Sequence, residues 1–126
     1  MQLVVLGLNH RSAAVEVRER FSFEKNEVSA ALNRLYEYDK SSECVILSTC
    51  NRTEIYAVLE EVESPKPYML QLLKDLKHAD MIDESAFFFY EDRDCIEHLF
   101  RVSASLDSLV LGEGQILSQL KGAYIT

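Results

Sequence analysis

Two short apolar runs, residues 44–47 and 55–59, flank an unbroken polar stretch that reads Ser48-Thr49-Cys50-Asn51-Arg52-Thr53-Glu54. Both runs are partly β-branched and too short for helices, so they are read as strands, and the stretch between them as a turn able to carry chemistry. Two further strands are expected. Residues 3–6 form a continuous apolar run closed by Gly7, which suits a strand buried on both faces that opens into a turn over 9–12. Ala86-Phe87-Phe88-Phe89-Tyr90 has strong strand preference.

Helical spacing fills the intervals. Ser22 predicts the cap of a helix over 23–39, with Glu24 in its first turn and Val28, Ala31, Leu32 and Leu35 along one face. Ser64 followed by Pro65 predicts a helix over 65–78 with a stripe of Met69, Leu72, Leu73 and Leu76. Asp92 or Asp94 offers a cap to a third helix with Ile96, Leu99 and Phe100 on one face, and 115–125 has helical register without a stop signal. The order β, α, β, β, α, β and then helices predicts an α+β domain. Helices pack on a mainly antiparallel four-stranded sheet in a split βαβ, ferredoxin-like arrangement with C-terminal helices.

Composition narrows the class. Gly and Pro together number only six, so most of the 126 residues belong to regular elements of one domain spanning 1–126. A net charge of −8 opposes a delocalised grip on phosphate backbones, so a nucleic-acid partner needs a local basic patch. Arg11, Arg18, Arg20 and Lys25 alternate with Glu16, Glu19 and Glu24, which reads as a mixed solvated face. Three cysteines without a CxxC pair point to reduced thiols and a cytoplasmic protein. No run is long enough to span a membrane, and 3–8 lacks the basic flank and length of a signal peptide.

Within the polar stretch, Cys50 has two readings. A neighbouring cation and exposed turn N–H groups favour its thiolate, which makes a nucleophile; alternatively it is a small buried hydrophobe. Cys44, inside an apolar run, keeps the second reading. Arg52 is either a fork for a carboxylate or a solvated turn charge. His98 shares a helix face with Asp94 and Arg101, as a general acid or base or as a packed helix histidine. Cys95 and His98 make half of a zinc spacing with no second pair, so no metal is predicted. His10-Arg11 is placed to meet an anion or to be solvated, and His78 to favour a helix dipole. Gly112-Glu113-Gly114 imitates a nucleotide turn, but Leu117 occupies the third glycine position and the site is rejected. Gln115 and Gln119, one turn apart, either converge on a polar ligand or are surface amides.

Three ordered blocks carry a more specific signal. Residues 7–12 (GLNHRS) with 15–19 (VEVRE), residues 48–56 (STCNRTEIY), and His98-Leu99-Phe100-Arg101 leading into 107–113 (DSLVLGE) resemble glutamyl-tRNA reductase almost end to end. The likeness is to that family's N-terminal catalytic domain. It implies NADPH-dependent reduction of glutamyl-tRNA(Glu) to glutamate 1-semialdehyde, the first step of five-carbon tetrapyrrole (haem) synthesis. By this resemblance Cys50 is the nucleophile that forms a thioester, easier to reduce than the ester it replaces. His98 handles a proton or assists at the carbonyl. Arg52 holds the glutamate side-chain carboxylate, with Thr49, Asn51, Ser108, Glu113, Gly114, Gln115 and Gln119 completing the pocket.

NADPH binds, in the family, to a Rossmann domain outside these residues, so the chain alone is expected to reach thioester formation or ester hydrolysis at most. The resemblance also implies a homodimer, glutamyl-tRNA as partner and an aminomutase as recipient of the product. Ala14 and Gly114 stand where the family commonly has proline. On the residues alone two other functions compete: a cysteine hydrolase of a small ester using Cys50 and His98, and a regulatory domain whose Arg52 and Gln115 face recognise a carboxylate. Dependence on the RNA moiety separates the first, and a thiol titration of Cys50 the second.

Overall fold

The computed structural model describes residues 2–35, 41–49 and 51–105. In chain order these form β1 (Gln2–Asn9), α1 (Val15–Phe21), α2 (Lys25–Leu35), β2 (Ser41–Ser48), β3 (Arg52–Leu59), α3 (Pro65–Lys77), one 3-10 turn (Glu84–Ala86), β4 (Phe88–Glu91) and α4 (Asp92–Ser105). The four strands make a single sheet in the order β2-β3-β1-β4, each antiparallel to its neighbour. β1 and β2 therefore run the same way with β3 between them, and β3 and β4 do so with β1 between. That is the split βαβ topology, made twice.

Both faces of the sheet are covered. Because side chains alternate along a strand, β1 sends Val4, Leu6 and Leu8 one way and Leu3 and Val5 the other. The first set joins Ile46, Ile55, Ala57 and Leu59 in a core closed by Phe21, Phe23, Val28 and Ala31, and by Met69, Leu70, Leu72 and Leu73 of α3. The second set meets Val45, Tyr56 and Val58 beneath Cys95 and Leu99 of α4. A strand buried on both sides reads as an unbroken apolar run, which is why β1 was legible.

Several expectations need correction. Gly7 does not close β1; it lies inside the strand, opposite Glu54 on β3 and Phe88 on β4. α1 went unanticipated, since only Val17 and Phe21 of its seven residues pack on the core, too few to show a period. Ser22 is the C-terminal cap of α1, its hydroxyl donating to the Glu19 carbonyl at 3.0 Å. α2 starts later, at Lys25, and the Glu27 carboxylate reaches back to the Glu24 N–H at 3.2 Å, half of a capping box. The expected end of that helix, 36–39, lies outside the described residues, as does the helix expected over 115–125.

β4 begins at Phe88 because Asp83 caps the preceding 3-10 turn, accepting from the Ser85 N–H at 3.0 Å. Asp92 does open α4, with φ 48°, and its carboxylate also accepts the Leu3 N–H at 3.2 Å, tying β1 to that corner. α3 follows its expected course with Pro65 in the first turn, and ends where His78 turns left-handed at φ 52° and the Ala79 N–H donates to the Lys74 carbonyl at 2.9 Å.

Candidate active site

β3 places Arg52, Glu54 and Tyr56 at alternate positions, so all three side chains lie on the face that α4 covers. Glu54 is fully buried, 0% exposed, where an isolated carboxylate would be costly. Three donors surround it. The Tyr56 hydroxyl donates to Oε1 at 2.5 Å, and Arg52 Nη1 donates to Oε2 at 2.9 Å. His98 Nε2 lies 3.0 Å from that same Oε2. Burial pushes the Glu54 pKa up, but the hydrogen bonds from His98 and Tyr56 and the charges of His98 and Arg52 outweigh it and hold the carboxyl below its ordinary value. Burial and then the Glu54 charge push the Tyr56 phenol far upward, so it stays a donor.

Gly7 makes the room. A Cβ at this position would stand 2.7 Å from Phe88 Cζ and 2.9 Å from Glu54 Cγ, so the two side chains that lean across β1 require a glycine there. His98 descends from α4 in a buried stripe of Cys95, His98, Leu99 and Val102, spaced as one helix face. This corrects the face expected from Ile96, Leu99 and Phe100: Leu99 is buried, whereas Ile96 and Phe100 are only partly so. Asp94, expected on the same face, is exposed, and the ring bonds Glu54. The imidazole also lies against Phe88 and Tyr90, with ring centroids 4.8 and 5.0 Å away.

Above this cluster opens a cleft of about 540 Å³ lined by Asn9, His10, Arg11, Ser12, Arg52, Phe88, Tyr90, His98, Arg101 and Val102. None of these lining residues is acidic, in a chain of net charge −8. The local basic patch that an anionic partner requires is thus assembled from three separate segments, 9–12, β3 and α4. The first is an Asx turn: Asn9 Oδ1 accepts the N–H groups of Arg11 and Ser12 at 2.9 and 3.0 Å, which sets His10 and Arg11 at the cleft rim.

Thr49 organises the turn between β2 and β3. Its N–H donates to the Arg52 carbonyl at 2.8 Å, and its hydroxyl accepts from the N–H groups of Asn51 and Arg52, both at 3.2 Å. Asn51 is exposed at that turn. Cys50, Ser108, Glu113, Gly114, Gln115 and Gln119 lie outside the described residues. Of the expected site residues, the structure therefore brings together Arg52 and His98, with Thr49 and Asn51 beside Arg52. Ser48 faces the other side of the sheet, where its hydroxyl accepts the Phe23 N–H at 2.9 Å. Cys44 and Cys95 are buried, and burial, then the charges of Asp92 and Glu54, push the Cys95 thiol up to about 12. Among the described residues no cluster of His, Cys, Asp and Glu could hold a metal ion, and no helix is long and apolar enough to cross a membrane.

Glu54 and Tyr56 were not singled out from sequence. The signal was present, since Arg52, Glu54 and Tyr56 stand at alternate positions of β3, but only burial on both faces makes that alternation an internal network rather than a solvated edge.

The family model for the "Glutamyl-tRNAGlu reductase, N-terminal domain" matches residues 6–126. The chain belongs to this family. Among relatives named glutamyl-tRNA reductase, that of Bacillus pumilus is 42% identical over 98% of this chain. The one from Marinobacter nauticus is 46% identical, again over 98% of the chain. The solved glutamyl-tRNA reductase of Methanopyrus kandleri covers 98% of the chain at 32% identity with a TM-score of 0.56. The chain spans 28% of the length of the Bacillus relative, 29% of the Marinobacter one and 27% of the Methanopyrus structure.

Proposed function

We propose that this domain takes the glutamyl group from glutamyl-tRNA onto Cys50 as a thioester. The observation that carries the reading is the convergence of Arg52 and His98 on one buried carboxylate at the floor of a basic cleft, beside the turn that leads into Cys50. In the reaction the Cys50 sulfur attacks the ester carbonyl, an S–C bond forms, and the C–O bond to the terminal ribose breaks. The thiol proton leaves through His98 and returns to the departing ribose oxygen, so charge balances at each step. Arg52 spends Nη1 on Glu54 and keeps its other donors for the substrate carboxylate, a choice that disfavours glutamine. Arg11 and Arg101 at the rim suit the phosphates of the RNA end. Thr49 serves by shaping the turn, with Asn51, Ser108, Glu113, Gly114, Gln115 and Gln119 completing the pocket.

The described residues do not fit the NADPH that the family likeness implies. Every strand is antiparallel to its neighbour, so no pair of adjacent parallel strands supplies a dinucleotide crevice. Hydride delivery to the thioester carbonyl, which would yield glutamate 1-semialdehyde and free the Cys50 thiolate, is therefore assigned to none of the described residues. The test is a single-turnover reaction with glutamate-labelled glutamyl-tRNA, trapping protein-bound label. Wild type and the Cys44→Ser and Cys95→Ser variants are expected to carry label, and Cys50→Ser to carry none. A folded wild-type chain that binds the RNA without acquiring label rejects the proposal.

A further inference from the structure

We infer that Glu54 is a positioning residue that keeps the His98 proton on Nε2, so that Nδ1 is the nitrogen that exchanges protons during acyl transfer. This rests on the reading of the cleft given above and assigns the working atom within it. An ionised carboxylate only accepts hydrogen bonds, and a guanidinium only donates. Glu54 Oε2 already receives Arg52 Nη1 at 2.9 Å, and Oε1 receives the Tyr56 hydroxyl at 2.5 Å. His98 Nε2, 3.0 Å from Oε2, must therefore carry a hydrogen whether the ring is neutral or charged. In the neutral ring the lone pair is then on Nδ1. A ring nitrogen engaged with a buried acceptor cannot serve as base, which leaves Nδ1 for that task.

The packing supports a fixed ring. Phe88 and Tyr90 flank the imidazole, and its buried neighbours on α4, Cys95, Leu99 and Val102, fix the helix against the sheet. Among the described residues, the titratable groups around it are Arg52, Glu54 and Tyr56 of β3, Tyr90 of β4, Arg101 and Cys95 of α4, and His10 and Arg11 across the cleft. Among the described residues, Glu54 is the single carboxylate bonded to the ring. Its bond to Arg52 through the same Oε2 means that one buried anion orients both the substrate-binding cation and the proton-handling ring. The arrangement parallels the buried carboxylate that sets the histidine tautomer in a serine-protease triad, reached here from an unrelated fold.

Nitrogen-15 NMR of the histidine-labelled chain reads the tautomer without any need for activity. The three histidines are His10, His78 and His98, and the His98→Asn variant assigns the signal. The expected neutral form of His98 has a protonated Nε2 and an unprotonated Nδ1, and Glu54→Gln, whose amide can donate to Nε2, mixes or reverses that preference. In single turnover with glutamyl-tRNA, Glu54→Gln is expected to slow thioester formation by about 10²- to 10⁴-fold and to displace its pH profile, with RNA affinity little changed.

A proton found on Nδ1 in the wild type overturns the inference. So does a Glu54→Gln variant with the wild-type tautomer, or with the wild-type rate and pH profile. If Glu54→Gln does not fold, Tyr56→Phe removes one of the carboxylate's donors with the ring kept, and a rate lowered by about tenfold with a displaced pH profile is then required. A wild-type chain with the Nε2–H tautomer that forms no adduct rejects the acyl-transfer reading while upholding the tautomer lock.

Discussion

The two faces of the one sheet are built to different rules. Beneath α2 and α3 lies hydrocarbon: Leu6, Ile46, Ile55 and Leu59 meet Val28, Met69 and Leu72, all at most 5% exposed. Beneath α4 the apolar packing of Leu3, Val5, Val45 and Leu99 gives way, toward one end of the sheet, to Arg52, Glu54, Tyr56 and His98. A dry face tolerates no charge because nothing there replaces water, whereas the α4 face supplies three donors for one carboxylate. The difference teaches that stability is concentrated on one side of this domain. The other side is then free to hold a polar network that an apolar core of the same volume could match or exceed in stability.

The sharpest way to break that contrast is to open a hole in the dry face. Leu72→Ala is expected to cost about 2–5 kcal/mol in urea unfolding while leaving the hydrogen bonds around Glu54 untouched. On the polar face, Glu54→Gln should cost about 1–3 kcal/mol near neutral pH by weakening charge-assisted bonds. Its pH signature is more telling. A carboxyl whose pKa is depressed by folding contributes stability that is complete above its unfolded value and is lost as pH falls through the folded one. The difference in unfolding midpoint between wild type and Glu54→Gln should therefore be constant above about pH 4.5 and shrink below it; a difference that grows on acidification contradicts the assignment.

Gly7→Ala tests the seam between Glu54 and Phe88. It should cost about 1–3 kcal/mol and shift the side-chain NMR signals of Phe88, since the added methyl enters space both residues occupy. Ser48→Ala, on the dry side, leaves the Phe23 N–H without its acceptor and should cost about 1–2 kcal/mol. Least of all, Cys95 should resist alkylation in the folded chain at neutral pH, because burial withholds both access and the thiolate; labelling there at the rate of a free thiol would mean that α4 does not stay docked.

Much of this was written along the chain. Four strands and the helix at Pro65 show in runs, periods and a proline, because local backbone preference and alternation are properties of neighbours in sequence. The motif around Cys50 and Arg52, the histidine at 98 and the resemblance they carry were legible for the same reason. α1 was hidden by its brevity, and the buried face of α4 runs through His98, whose packing only the sheet beneath it decides.

What tertiary structure alone decided is the partnership. Glu54 and His98 are 44 residues apart, and Gly7 stands far from both. Sequence determines that β3 carries Arg52, Glu54 and Tyr56 at alternate positions, but whether that row meets water or a helix depends on which strands flank it and which face α4 covers. Only the antiparallel order β2-β3-β1-β4 buries β3 on both sides, and burial is what obliges a carboxylate to gather its three donors.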